Sequence, residues 1–198
     1  MSPRPGLRLL AAALPLGLLA PAAAHAEKVV TEDAAGDVVT LPDGSTSEST
    51  PAPDYAGVDV QRTTVAHGDR RLSVVVGFRA LERNPFHLTL LRVMTPSGRY
   101  DVAVERLGGK PVASLAGGPG DAECRGLKAK VDLGADTVSL SMPTTCLGSP
   151  RWVRLRVGSV AASSDTAQPE MGAAYVDDAY RAGEVRDRLA LGPKVHRG

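Results

Sequence analysis

The sequence predicts an all-β fold: a single antiparallel β-sandwich of jelly-roll or immunoglobulin-like layers, with about eight to ten short strands and one disulfide. Three observations carry this. Short runs rich in Val, Leu and Thr alternate apolar and polar residues, the period-two repeat of a strand with one buried face. Gly, Pro and Asp clusters interrupt these runs, and no segment keeps a helical apolar stripe over three turns. The two cysteines, Cys124 and Cys146, flank a hairpin pattern.

The first 26 residues are set apart as a cleaved secretory leader. Arg4 and Arg8 precede an apolar run from Leu9 to Ala24, and Ala24-His25-Ala26 is a small-x-small cleavage site before Glu27. The run is broken by Pro15, Gly17 and Pro21 and is short for a spanning helix, which needs about 20 residues. Its removal leaves 172 residues, the size of one domain, with 21 basic against 22 acidic side chains. Such a balance supports no general attraction to nucleic acid or to anionic membranes. Two cysteines in an exported chain point to a disulfide rather than a metal pair.

After the leader, K-V-V-T and D-V-V-T-L read as two short strands or one bulged strand around the acidic turn E-D-A-A-G-D. Residues 42–54 hold Pro, Ser, Thr and Gly with almost nothing apolar, so they form an exposed loop. Gly68-Asp69 then joins two runs, and in the second Leu72, Val74, Val76, Phe78 and Ala80 share a face. In the next run Phe86, Leu88, Leu90 and Met94 share one side. Around Tyr175, M-G-A-A-Y-V-D-D-A-Y reads as an edge strand, and E-V-R-D-R-L-A as one or two helical turns.

The hairpin between the cysteines can be registered from sequence. Partners must share a face, so a two-residue loop at Gly134-Ala135 sets Val131 opposite Val138, Ala129 opposite Leu140 and Leu127 opposite Met142. Gly at the first loop position suits a type II′ turn. The same register leaves Cys124 and Cys146 one residue out of step. Pro143 cannot donate to a ladder, so a bulge or strand exit there would bring the sulfurs together. Beyond it, R-W-V-R-L-R-V turns Val153, Leu155 and Val157 inward. Trp152, Arg154 and Arg156 line the opposite face, a basic-aromatic stripe suited to an anionic or sugar ligand. The alternative places Trp152 against an arginine or beneath the C-terminal tail.

D-A-A-G-D-V at 33–38, the run from Val58 to Phe78, and M-P-T-T-C-L-G-S-P-R-W-V-R-L-R-V at 142–157 resemble small uncharacterised secreted proteins of high-GC bacteria. Their strand layout is similar to carbohydrate-binding sandwiches of the family 9 and DOMON type. The resemblance implies a β-sandwich and export, and no binding residue is carried over from it.

No H-E-x-x-H, G-x-S-x-G or phosphate-loop spacing occurs, and the histidines after the leader, His67, His87 and His196, are scattered. A non-catalytic binding module without cofactor is therefore expected, its ligand an extracellular polysaccharide or cell-wall polymer. The alternative is an interaction domain that pairs with another exported protein. Acidic groups gather at Glu32, Asp33 and Asp37, at Asp54 and Asp59, and at Asp177 and Asp178. Such loops at a sandwich end can hold Ca²⁺, with Asp33, Asp37 and Asp59 as candidates. Against this, Asp is an ordinary turn residue that bonds nearby backbone amides, and no metal is the default expectation.

Overall fold

The computed structural model describes residues 26–41, 49–83, 86–118, 123–162, 174–183 and 185–198. The leader up to His25 and residues 42–48 of the expected loop lie outside them. In chain order the strands are β1 (Glu27–Glu32), β2 (Val39–Leu41), β3 (Thr50–Pro51), β4 (Val60–His67), β5 (Arg71–Phe78), β6 (Phe86–Thr95) and β7 (Gly98–Leu107). There follow β8 (Val112–Gly117), β9 (Lys128–Asp132), β10 (Thr137–Pro143), β11 (Trp152–Ala162), β12 (Ala174–Asp178) and β13 (Lys194–His196). One sheet has the order β1-β4-β5-β10-β9, and the other β3-β2-β12-β11-β6-β7-β8, with β13 also on β11. Every pairing described is antiparallel.

The two sheets bury their facing sides against each other, as the alternation requires. Leu72, Val74, Val76 and Met142 of the first sheet enclose a core with Val93, Val102, Leu155 and Val157 of the second. Each fully buried side chain of this kind contributes about 1.5–3 kcal/mol. The chain changes sheet twice near its start, at residues 33–38 between β1 and β2 and at residues 52–59 between β3 and β4. These two crossovers lie side by side: Ala52 N donates to Val38 O at 2.7 Å. At the end of the sandwich they meet the last residues of β12, where Asp177 Oδ2 accepts from Val60 N at 2.6 Å.

The hairpin register is as the sequence indicates, with Val131 opposite Val138 and Ala129 opposite Leu140. Leu127 precedes β9, so it makes no ladder pair with Met142. The turn itself differs from the expected type II′. The left-handed residue is Asp136 (φ 51°), not Gly134, and the loop spans four residues. Asp132 explains this: its Oδ1 accepts from Gly134 N and Ala135 N at 3.1 and 3.2 Å, folding the loop from its first corner. Near Pro143 the strand exits rather than bulges. A 3-10 turn over Thr144–Leu147 follows and carries Cys146 to Cys124, with Cα atoms 5.4 Å apart in the disulfide.

The four apolar residues named on β6 share one side, as expected, and two expectations for the C-terminal part are corrected. On β6 the side with Phe86, Leu88, Leu90 and Met94 faces outward, while His87, Thr89, Leu91, Val93 and Thr95 are buried. The outward side carries four apolar residues and the buried side only Leu91 and Val93, so the strand is oriented against its own apolar pattern. The edge strand expected near Tyr175 is instead interior, held between β2 and β11. Residues 185–191 form no helix; the tail runs along β11 and ends in β13. Among the described residues, no helix is long and apolar enough to cross a membrane.

Candidate functional site

The stripe Trp152, Arg154 and Arg156 lies on the outward face of β11, as its alternation requires. The structure does not bring the three into one open surface. Lys194 of β13 places its ammonium 4.7 Å from the Trp152 ring centroid, a cation–π contact. Arg154 Nε donates to Gly192 O at 3.0 Å, and Arg156 Nη1 donates to Leu189 O. The tail can approach this closely because residue 158 is glycine: a Cβ there would come within 2.8 Å of Leu189 Cδ1. Trp152 and Arg154 are thereby engaged by the tail.

Arg156 alone of the three also faces a groove, about 370 Å³ in volume, on the outer side of the larger sheet. The register explains its lining. Arg156 stands directly opposite Arg92 on β6, and Arg92 opposite Asp101 on β7, with which it forms an ion pair at 2.5 Å. The neighbouring positions Ala103, Ser114 and Ala116 are small and make a shallow floor, while Asp187 and Leu189 of the tail form a wall. Two guanidiniums directly across a strand pair repel. Burial first, and then the charges of Arg188 and Arg92, lower the pKa of Arg156. Two guanidiniums, Arg92 and Arg156, and two carboxylates, Asp101 and Asp187, thus line the groove.

The second feature is the acidic end formed by the two crossovers and β12. Asp33 follows β1, Asp37 precedes β2, Asp59 precedes β4, and Asp177 lies within β12. Asp33, Asp37 and Asp177 each bring one carboxylate oxygen within 4.8 Å of the others. Three of these four aspartates are braced by one oxygen. Asp177 Oδ2 accepts from Val60 N, Asp37 Oδ2 from Gly183 N at 3.0 Å, and Asp59 Oδ2 from Gly36 N at 2.7 Å. Gly36 adopts φ +75°, which presents its N–H at that bend. Arg79 Nε lies 3.0 Å from the same Asp59 oxygen. The remaining oxygens, Asp37 Oδ1, Asp59 Oδ1 and Asp177 Oδ1, are buried without a hydrogen-bond partner, as is Asp33 Oδ2.

Crowding like charges out of water holds these carboxyls high. Burial, then chiefly the neighbouring charge of Asp37, pushes Asp33 up to about 7. Burial raises Asp177 to about 8 despite the Val60 N–H, with Asp37, Asp33 and Asp59 adding repulsion. Burial also raises Asp59, against the pull of the Gly36 N–H and Arg79. Of the expected calcium candidates, the structure joins Asp33 and Asp37 and sets Asp59 beside them. The member not singled out from sequence is Asp177. Its signal was the pair Asp177-Asp178 in an otherwise apolar strand, since consecutive residues point to opposite faces. Asp178 is fully employed: it accepts from Ala190 N at 2.7 Å and from Tyr180 N at 3.4 Å, and pairs with Arg181 at 3.2 Å.

Among the described residues one serine–histidine contact is present, Ser159 Oγ to His87 Nε2 at 3.3 Å. Both residues are buried on the inner sheet faces, so the pair is a core polar contact that substrate does not reach. Compared with known protein families, curated proteins and solved structures, the chain matches none of them.

Proposed function

We propose that the protein is a non-catalytic exported binding module for an acidic extracellular polysaccharide or cell-wall polymer, which lies in the outer groove of the larger sheet. The observation that supports this reading is the cross-strand pair of Arg156 and Arg92 over the small floor of Ala103, Ser114 and Ala116. A guanidinium offers several donors in a fixed fork that matches carboxylate or phosphate geometry, and a floor of small side chains lets a chain of sugars lie close to the sheet. Export agrees with the disulfide, which persists in oxidising compartments.

Titration calorimetry of the intact protein with polygalacturonate and with neutral dextran tests this. Binding to the acidic polymer alone is expected, weakening as salt rises. Arg156→Ala should lower affinity by about 10–100-fold, the loss of one charge-assisted hydrogen bond. Ala116→Glu should lower it by repulsion without touching the tail contact that Arg156 makes. The reading fails if no acidic polymer binds at low salt, or if both variants bind as the parent does.

A second reading has its own support. β8 is the outer strand of its sheet, its sequence V-A-S-L-A-G carries no charge, and its first residue Val112 and Leu107 at the end of β7 are 66% and 65% exposed. An uncharged free edge suits strand addition by another exported protein. Val112→Lys would abolish such pairing and leave polymer binding intact, so the two readings separate.

A further inference from the structure

We propose that Asp33, Asp37 and Asp177 form a Ca²⁺ site that ties the β1–β2 crossover to β12 at one end of the sandwich. The site is independent of the outer groove. Its three ligand oxygens lie within 4.8 Å of one another, a separation that oxygens around one Ca²⁺ can have when each is about 2.3–2.6 Å from the ion.

Acidic clusters are common on surfaces without an ion, and what sets this one apart is the state of its oxygens. Asp177 is 1% exposed, yet its Oδ1 has no partner. Desolvating a carboxylate oxygen without a hydrogen bond or a counter-charge is costly, and natural proteins rarely leave such groups orphaned. Here Asp33, Asp37, Asp59 and Asp177 each have one. Turn capping does not account for them. Asp37 and Asp177 bond amides 146 and 117 residues away in the chain, and those bonds use the other oxygens. The pattern is that of ligands held in place: one oxygen fixes the carboxylate to the backbone, and the second remains for the ion. Asp59 braces the bend through Gly36 and adds its charge to the same field.

The chemistry selects the cation. The group contains only carboxylates, hard oxygen ligands, and neither His nor Cys, which disfavours Zn²⁺ and other borderline metals. Mg²⁺ keeps several waters and is usually bound through one or two carboxylates, whereas three from a folded cage suit Ca²⁺. Extracellular modules bind Ca²⁺ with dissociation constants of order 10⁻⁴–10⁻³ M.

The test uses the leader-free protein stripped with EDTA, titrated with CaCl₂ by calorimetry and melted with and without the ion. The midpoint should rise by about 5 °C near 10 mM Ca²⁺, and less with Mg²⁺. Asp33→Asn and Asp177→Asn should each weaken binding by more than the ~10–100-fold that loss of an outer-shell partner costs. Both should remain folded in EDTA, at least as stable as the parent, because each removes a charge from a crowded pocket. Asp69→Asn, in the β4–β5 turn at the opposite end of β5, should keep the full shift. The proposal is overturned if the parent shows neither heat nor shift, if Mg²⁺ acts as strongly as Ca²⁺, or if both pocket variants keep the shift. It is equally overturned if the pocket variants lose as much stability in EDTA as Ca²⁺ confers on the parent.

Discussion

The two ends of β5 are secured in different ways. At the Arg71 end, Pro143 pairs with Arg71, Arg71 Nη2 donates to Gly126 O at 3.0 Å, and the Cys124–Cys146 bond closes the hairpin just beyond. At the Phe78 end, Arg79 reaches Asp59, and Asp59 is wired through Gly36 into a pocket of buried carboxylates. The first end is locked covalently within a short stretch of chain. The second gathers residues from three distant segments and holds them with hydrogen bonds that leave charge uncompensated. One end is complete as the polypeptide stands; the other is built to receive a counter-charge.

The largest expected effects break this comparison at its covalent end and in the core between the ends. Replacing both cysteines with serine should cost about 3 kcal/mol, the value for a loop of this length by the chain-entropy model, measured by urea unfolding. The same variant should keep its response to Ca²⁺, since the ends act separately. An effect of similar size is expected from His87. Burial first and then the Arg106 charge depress its pKa from 6.5 to about 4, so the folded state favours the neutral ring. That contribution is complete above pH 6.5 and is lost as pH falls towards 4, by as much as ~3 kcal/mol. The carboxylates of the acidic end titrate in the opposite sense. The effect is therefore read as the difference between parent and His87→Gln at each pH, and a difference that stays flat from pH 7 to 4 would contradict it.

A smaller change is expected where the acidic strand pair divides its roles. Asp178→Ala strips the Ala190 and Tyr180 amides of their acceptor and leaves Arg181 without its partner, at a cost of ~1–3 kcal/mol in thermal unfolding. The adjacent Asp177→Asn should cost nothing without Ca²⁺. Smallest of all is Gly134→Ala in the hairpin. A type II′ turn would make it plainly destabilising. Here the residue is not left-handed and a Cβ would meet only Asp132 Oδ1 at 3.6 Å, so a change below ~0.5 kcal/mol is expected by urea titration.

The same contrast explains what could be read from the chain. The β9–β10 register and the inward face of β5 were legible because period-two alternation and turn length are local properties. The pairing of the two cysteines followed, although the route was a 3-10 turn after Pro143. The hairpin turn was misjudged because an Asp side chain, not the glycine, shapes it. β6 was ambiguous because His87, Thr89 and Thr95 occupy its buried face while leucines remain outside. The stripe on β11 gave the right face, and the alternative that the C-terminal tail covers it is the one observed, although the tail contacts themselves come more than 30 residues later. The acidic site was half visible. Asp33 and Asp37 share one turn, but Val60 and Asp177 meet across 117 residues, and nothing local in either segment signals that contact.

Backbone hydrogen exchange with and without Ca²⁺ tests the difference between the two ends most directly. Protection should rise at residues 33–38, 57–60 and 174–178 when Ca²⁺ is added, while residues 124–128 and 141–146 at the disulfide end exchange unchanged. Uniform protection of both ends, or no change at the acidic crossovers, would contradict the account.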